Sequence, residues 1–484
     1  MDMENTLAII GVVALFVDWI IRLAFILYVP RGRKPTAAMA WLLAIMIIPV
    51  FGVLLFLLIG SPKLSRRRRR LQQSIDALIE SATFSADDVP AGLQPDTYNR
   101  YAPIIKQNKA LGKLPAQQGN TMHILDDYQS MVDEATRYIE QAKEYVYIEY
   151  FIIALDDTTR PFFNAMEAAV NRGVDVYVLF DSVGSRKYRH YKSMQRKLTA
   201  IGVRWQRMLP LRFNLNHYNR PDLRNHRKIV VVDDQVAFMG SFNMIDRTYQ
   251  RTDGIVYDEL VVRMTGPIVQ QCAAVFAGDW FSETGEAPRT LLEPITSDEQ
   301  GGIMAQLLPS GPSYDHENNL KLFVSLVYAA KQKIVITNPY FVPDDALLTA
   351  VISAAKRGVE ITIVNSKVKD QWMVGHAQRS YYTQLLEAGV KIYLHNAPIL
   401  LHSKHVTIDD DITVIGSSNM DIRSFQLNLE CVVVVYDKSV TAKLQTIQQK
   451  NIDNSEIITL DNWHNRSIWK ELLDSIARLT ASLQ

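Results

Sequence analysis

The sequence predicts an α/β protein: two similar sheet-and-helix halves sharing one active site, preceded by a two-helix transmembrane hairpin. Three observations carry this. Two apolar stretches lie near the amino terminus, a βαβ pattern is written twice, and one set of six residues recurs at fixed spacing. The 484 residues divide as 1–61, the hairpin; 62–120, a basic juxtamembrane segment and linker; 121–290, the first half; and 291–484, the second half with a carboxyl-terminal helix.

The stretch Leu7 to Val29 is apolar except for Asp18 and Arg22. As a helix it would span roughly 34 Å, enough for the hydrocarbon core. Asp18 and Arg22 are four apart and can face each other. A second span is expected from about Ala37 to Ile59, kinked at Pro49. A signal peptide would show a basic start and no second apolar stretch. Arg31, Arg33 and Lys34 lie between the spans, and SPKLSRRRRR follows the second with six bases in eight positions. That bias of six against three favours a cytoplasmic body with both termini inside. The arginine run also suits anionic lipid headgroups, or is a plain topology signal.

Lys+Arg and Asp+Glu total 52 and 51, but residues 1–70 hold ten of the bases and three of the acids. The rest carries a net charge of about −6. A body this acidic lacks the basic footprint of a general nucleic-acid binder. Cys272 and Cys431 can form neither a disulfide framework nor a metal cluster.

From Gln72 to Gly119 a short helix and then a Pro-, Gly- and Asn-containing loop are expected, with Ala91 to Tyr98 as loop. The soluble fold starts near Thr121. Glu144 to Ile153 reads as a buried strand, Thr158 to Ala169 as a helix, Val174 to Phe180 as a strand, then a basic helix through Leu198 and a strand from Val203. This is βαβαβ with a parallel sheet inside. The pattern returns: strand Lys333 to Thr337, helix Ala346 to Lys356, strand Glu360 to Val364, helix Tyr381 to Ala388. Arg357-Gly358-Val359 matches Arg172-Gly173-Val174. A connector near Phe281 to Gln300 separates the copies.

Each copy then delivers one constellation. The first is His226, Lys228, Asp233, Gly240-Ser241 and Asn243; the second is His402, Lys404, Asp409, Gly416-Ser417 and Asn419. Within a strand, His and Lys two apart point to the same face. If the halves pack about a pseudo-twofold axis, two His, two Lys and two Asn converge on one cleft. Such a set supplies positive charge and donors for a tetrahedral phosphate, and no anionic cluster for a divalent metal. No cofactor is expected. The residue types fit a two-histidine phosphodiester exchange: one imidazole attacks phosphorus, and the other protonates the leaving alcohol and later deprotonates the incoming one. Lys228, Lys404, Asn243 and Asn419 would neutralise the phosphoryl oxygens, and Ser241 and Ser417 can donate hydrogen bonds. Each imidazole needs an orienting carboxylate. Asp233 and Asp409 are grouped with the catalytic set, although they sit where a turn-forming, strand-locking role is also open. Glu259 and Glu430, on the next strand of each copy, are the better orienters.

The repeats resemble the phospholipase D superfamily, over residues 121 to about 435. They are most similar to the membrane-bound bacterial cardiolipin synthases, in NPYFVPD at Asn338 to Asp344, RSYYTQLLEAGVKIY at Arg379 to Tyr393, LHSK at Leu401 to Lys404 and the second apolar stretch. Two positions depart from that branch: Ser241, where many members have Gly, and Glu259, where Asp is commoner. The resemblance implies a duplicated phospholipase D-like fold in the bacterial inner (plasma) membrane, body on the cytoplasmic side, with no metal. It implies transfer of a phosphatidyl group from one phosphatidylglycerol to a hydroxyl of another, with His226 as nucleophile and His402 as acid–base. The alternatives are a phospholipase D-type hydrolase or a phosphatidyltransferase with another donor or alcohol acceptor. A nuclease would need a more basic body, and a scaffold would not keep both motifs complete. The oligomeric state is open.

Outside the motifs, Ile468, Leu472, Ile476 and Leu479 fall on one side of a carboxyl-terminal helix, with Trp469 and Leu473 beside them. That helix could dock on the body or rest on the bilayer. Tyr340 and Phe341 have either a lipid contact or core packing open to them. His405, on the opposite strand face from Lys404, is expected to be structural. Trp372 and His376 have no assigned role.

Overall fold

The computed structural model describes residues 3–61, 63–83, 95–211, 219–288, 301–314 and 317–481. Met1–Lys63 with Arg220–Asp222 form one compact unit, and Leu64–Asn219 with Leu223–Gln484, the body, form another.

In the first unit the helix Met3–Tyr28 is 26 residues long. It contains the one described helix long and apolar enough to cross a membrane, Asn5–Tyr28. Asp18 and Arg22 meet at 2.7 Å, as their spacing allows. The second apolar stretch is not the single span expected. It is two helices, Pro35–Ile47 and Pro49–Ile59, of 13 and 11 residues. At ~1.5 Å per residue these reach about 20 and 16 Å, short of the ~30 Å hydrocarbon core. Pro49 has no N–H to donate and drives Ile48 out of the helical region, to φ −129° and ψ 77°. The chain then doubles back. Gly52 lies so close to the preceding helix that a Cβ there would sit 2.6 Å from the Ala44 carbonyl oxygen. The Phe56 ring packs edge-on against Trp41 at 5.4 Å and Phe25 at 5.5 Å. Arg33 donates to the carbonyls of Gly60 at 3.2 Å and Val29 at 2.8 Å. Both ends of this short hairpin therefore lie beside the end of the long helix. Arg22 donates to the Met46 carbonyl at 2.8 Å, one of the acceptors at the helix end before the break.

The body is built on one sheet whose strand order repeats. The first half runs Arg204–Met208, Asp175–Asp181, Tyr145–Tyr150, Ile229–Val232, Val236–Gly240, Val261–Thr265, Gln117–Leu125. The second runs Lys391–His395, Glu360–Ser366, Lys333–Thr337, His405–Ile408, Ile412–Gly416, Asn428–Val435, Ile303–Ser310. The last strands of the two series pair antiparallel, so the sheet passes through both halves. Only the first three strands of each series are mutually parallel; the others pair antiparallel. The parallel part is the part joined by helices such as Arg160–Asn171 and Asp345–Lys356, as right-handed crossovers require.

Three large apolar clusters hold the body. One lies within the first half and one mostly within the second. The third draws on both: Ile229, Val231 and Val262 from one side and Leu307, Ile415 and Val433 from the other. The helix Ile268–Thr284 is buried nearly all round against it. The expected linker loop is largely a helix, Pro95–Gly112, despite Pro103 inside it. Its Tyr101, Ile104 and Ile105 enter the second half's cluster, and that burial outweighs the weak helical propensity. Residues 91–94 of the loop reading lie outside the described residues, as does most of the connector. The first sheet strand begins at Gln117, four residues before the expected start.

Candidate active site

The two His-x-Lys segments do not lie inside strands as their spacing predicted. Each joins a short strand that pairs with the other half to a strand that pairs within its own. Ahead of His226, Arg224–Asn225 pairs in parallel with Asn428–Leu429 of the second half. Behind Lys228, Ile229–Val232 pairs within the first half. Ahead of His402, Ile399–Leu401 pairs in parallel with Val256–Asp258 of the first half. The main-chain N–H of His226 donates to the Leu429 carbonyl and that of His402 to the Asp258 carbonyl, both at 2.8 Å. Each histidine is therefore fixed by its backbone one residue before the other half's glutamate.

The side chains follow. His226 Nδ1 lies 2.9 and 3.0 Å from the two oxygens of Glu430. His402 Nδ1 lies 2.7 Å from Glu259 Oε1. The pairing is crossed: the glutamate that orients each imidazole comes from the opposite half. With Nδ1–H donating to a carboxylate, Nε2 carries the lone pair. Ser417 donates to Glu430 at 2.5 Å, and Asn428 contacts it at 3.4 Å. On the other side the Tyr249 hydroxyl donates to Glu259 at 2.6 Å. Lys228 Nζ donates to the His226 carbonyl at 2.6 Å, and Lys404 Nζ donates to that of His402.

The glycines of the motif have a steric reason. A Cβ on Gly240 would sit 2.1 Å from the Leu260 carbonyl oxygen, and one on Gly416 2.3 Å from that of Cys431. This close approach lets Ser241 and Ser417 bond the strand that carries the glutamate: their hydroxyls accept from the N–H of Leu260 at 2.9 Å and Cys431 at 3.0 Å.

Two expected roles change. Asp233 and Asp409 do not join the histidines. Each sits in the left-handed region at φ 49° and closes a turn. Asp233 accepts the N–H groups of Lys143, Glu144 and Tyr145 at 2.9–3.0 Å. Asp409 accepts those of Lys331, Gln332 and Lys333 at 2.8–3.1 Å. Five residues of extended chain, about 16 Å, separate them from the lysines. Arg100, on the added helix, also pairs with Asp409. The Asn pair is not equivalent either. Asn243 Oδ1 accepts from the Ile152 N–H at 3.0 Å and its amide donates to Tyr249 at 3.0 Å, so it positions a loop and the tyrosine. Asn419 Oδ1 is buried without a hydrogen-bond partner.

Burial sets the electrostatics. It pulls His226 down to about 4, with Glu430 opposing and Lys228 and Lys404 adding to the fall. His402 is lowered by burial, opposed by Glu259 and Asp370, with Lys404 adding to the fall. Burial also lowers Lys228 to about 7 and Lys404 to about 8. For Glu259 and Glu430 burial acts upward, but the neighbouring imidazole and lysine outweigh it and hold both below the usual range. Among the described residues no three His, Cys, Asp or Glu gather as a metal site.

Sequence reasoning missed Tyr249, Phe151 and Asp370. Phe151 stands edge-on to His226 at 5.2 Å, and Tyr257 to His402 at 5.5 Å. Tyr249 stacks on Tyr257 at 3.8 Å. None of these lies at a motif spacing. His405 is structural, bonded to Gln448 at 3.2 Å, and Tyr340 bonds Asp370 at the edge of the site.

Two imidazoles held in this way on a repeated α/β fold define a class. Residues 135–280 and 323–451 match the family described as "Cardiolipin synthase, PLD-like domain", and the chain belongs to that family. The chain is 30% identical over 473 residues to cardiolipin synthase A of Proteus mirabilis (strain HI4320), covering 95% of this chain and 96% of that one. It is 31% identical over 458 residues to cardiolipin synthase A of Yersinia pseudotuberculosis serotype O:1b (strain IP 31758), covering 92% of each. The fold is similar to that of a phosphatidylserine synthase from Haemophilus influenzae Rd KW20, with a TM-score of 0.58 at 16% identity over 80% of this chain and 98% of that one.

Proposed function

We propose that the protein is a cardiolipin synthase, a phosphatidyltransferase whose two halves share one active site. The crossed His–Glu pairing carries this reading, because each half supplies the carboxylate bonded to the other half's imidazole. His226 Nε2 attacks the phosphorus of one phosphatidylglycerol as the bond to the headgroup glycerol breaks. His402, entering as the imidazolium with Nδ1–H kept on Glu259, gives its Nε2 proton to the departing oxygen. A second phosphatidylglycerol then loses a hydroxyl proton to His402, its oxygen attacks phosphorus, and the P–N bond breaks. Lys228, Lys404 and Asn419 face the developing negative charge. Asn243 acts one step back, through Tyr249 and Glu259.

The division of labour has electrostatic support. Burial lowers both imidazoles; at His226 Lys228 and Lys404 add to the fall against Glu430, while at His402 Lys404 adds to it against Glu259 and Asp370, so the neighbours favour a proton more on His402 than on His226. The test is full-length protein in phosphatidylglycerol vesicles with both products assayed. Cardiolipin and glycerol in equal amounts are expected. Phosphatidic acid instead would assign a hydrolase, and product only after another donor or alcohol is added would assign a different transferase.

For the membrane we propose one span, Met3–Tyr28, followed by a re-entrant hairpin from Pro35 to Ile59. The hairpin brings the chain back to the side it entered. Arg31, Arg33, Lys34, Lys63 and the five arginines from Arg66 then share one side, which the positive-inside rule makes the cytoplasm of a bacterial inner membrane. Reporter fusions at the two ends of the chain should report opposite sides. Both ends on the same side would restore two full spans.

A further inference from the structure

The helix Ile468–Arg478 is attached to the body by the wrong face for a water-soluble protein. Successive residues turn by ~100°, so Ile468, Trp469, Leu472, Ile476 and Leu479 share an arc of about 100°. These residues are 69, 74, 49, 53 and 82% exposed. The opposite face, with Asp474 and Ala477, is the buried one. Asp474 is held at 2.6 Å from His376 Nδ1 and 2.9 Å from Arg466 Nη1. Arg478 lies over the Tyr381 ring at 4.3 Å. An amphipathic helix normally buries its apolar arc and leaves its carboxylate in water. Here a buried ion-pair cluster fixes the helix with its apolar arc outward.

The arc continues onto a neighbour. The helix Trp372–Arg379 packs against this one, and its Trp372 and Met373 are 60 and 42% exposed. Trp372 lies 4.5 Å from the His376 ring, the same imidazole that holds Asp474. This second helix starts at the candidate site: Gln371 donates to the Tyr340 hydroxyl at 3.5 Å, and Tyr340 bonds Asp370. Asp370 in turn acts on His402 and Lys404. The apolar surface therefore runs outward from the edge of the chemistry.

We propose that this surface, from Trp372 and Met373 across Ile468, Trp469, Leu472, Ile476 and Leu479, lies in the headgroup–acyl boundary of an anionic lipid leaflet. There it sets the active site against the layer that supplies substrate. Continuity with the site selects the occupant, because the lipid reading of the site needs a leaflet at that edge and a second copy of the chain would obstruct it. Two exposed tryptophans at the rim are the side chains that interfaces favour. The proposal rests on a membrane phospholipid as substrate, and not on which phosphatidyl transfer follows.

The experiment uses the full chain in phosphatidylglycerol vesicles with Leu479→Cys carrying an environment-sensitive fluorophore. Cys272 and Cys431 are buried and need no replacement. Quenching by lipids brominated high on the acyl chain, with protection from aqueous iodide, is expected. A control label at Lys192→Cys should show the reverse. The double variant Trp469→Glu/Leu472→Glu should lose at least ~10-fold in turnover on vesicles and keep wild-type turnover on a short-chain, monomerically dissolved phosphatidylglycerol. Iodide quenching at position 479 in vesicles would overturn the proposal. So would copy-to-copy crosslinking with no quenching by brominated lipid, which would assign the surface to a second chain. Equal loss on both substrates would reduce the helix to a structural part. If the wild type turns over neither substrate, the functional reading fails, while the quenching pattern still decides the surface.

Discussion

The two halves carry the same strand order and the same motif, yet they serve their histidines differently. Glu430, which holds His226, is itself held by Ser417 and Asn428. Glu259, which holds His402, is held by Tyr249, and Tyr249 by Asn243. Asn419, the counterpart of Asn243, has a buried oxygen with no partner. Burial lowers both imidazoles, but two lysines add to the fall at His226 against one carboxylate, and one lysine adds to it at His402 against two. Duplication built a symmetric frame, and the difference lies in what surrounds each imidazole. Chemistry that binds phosphorus to one histidine at a time needs that difference.

The largest effects should separate the histidines. His226→Ala should abolish turnover and the covalent adduct together. His402→Ala should cost ~10²–10⁴-fold with phosphatidylglycerol, yet spare the first step for a phosphatidyl nitrophenyl ester, whose leaving group departs unprotonated. Burst kinetics and acid-quenched peptide mapping read both outcomes, and an adduct on His402 in the His226 variant would reverse the assignment.

The crossed glutamates come next. Glu430→Gln should slow adduct formation by ~10–100-fold with either ester, although Glu430 belongs to the half of His402. Glu259→Gln should cost as much with phosphatidylglycerol and little with the nitrophenyl ester. The opposite pattern would mean that each glutamate serves its own half.

The lysines give a pH signature. At pH 8 free Lys228, near 7, is mostly neutral and Lys404, near 8, is half protonated. A bound phosphodiester anion favours both ammonium forms, so binding at pH 8 should take up as much as ~1.4 protons and weaken as pH rises above about 7. Calorimetry of a non-reactive phosphodiester in buffers of different ionisation enthalpy measures this. Proton release, or a pH-independent affinity, would count against cationic lysines around the phosphate.

The smallest effect on rate belongs to the two aspartates. Asp233→Ala and Asp409→Ala should each lower stability by about 1–3 kcal/mol through the three N–H groups they leave unpaired, with kcat close to wild type in the folded fraction. Denaturant titration beside an activity assay would show it. A loss of kcat without a loss of stability would return them to the catalytic set.

The sequence made some of this readable and hid the rest for physical reasons. Repetition exposed the motif, because His226 with Lys228 and His402 with Lys404 sit at one spacing in both copies. The position of Glu259 and Glu430 after the motifs marked them as orienters. Their crossing was not legible, since spacing along a chain says nothing about which half a strand pairs with; Arg224–Asn225 had to be seen beside Asn428–Leu429. Asp233 and Asp409 stayed open between a turn and the chemistry, because a residue repeated to close a turn looks the same as one repeated for chemistry. Hydropathy found both apolar stretches but could not tell a kink at Pro49 from a reversal. The helix Pro95–Gly112 was concealed by its Pro and Asn, and only its buried Tyr101, Ile104 and Ile105 explain it.

The crossed pairing also orders events in time. The apolar helix Met3–Tyr28 is synthesised before either motif. His226 follows, but the glutamate that makes it competent lies 204 residues further on. At ~5–20 residues per second that is about 10–40 s of synthesis. Throughout that interval the nascent chain holds a histidine with nothing to orient it. In the proposed mechanism, activity arrives only with the strand Asn428–Val435, so synthesis through that strand is itself the safety catch.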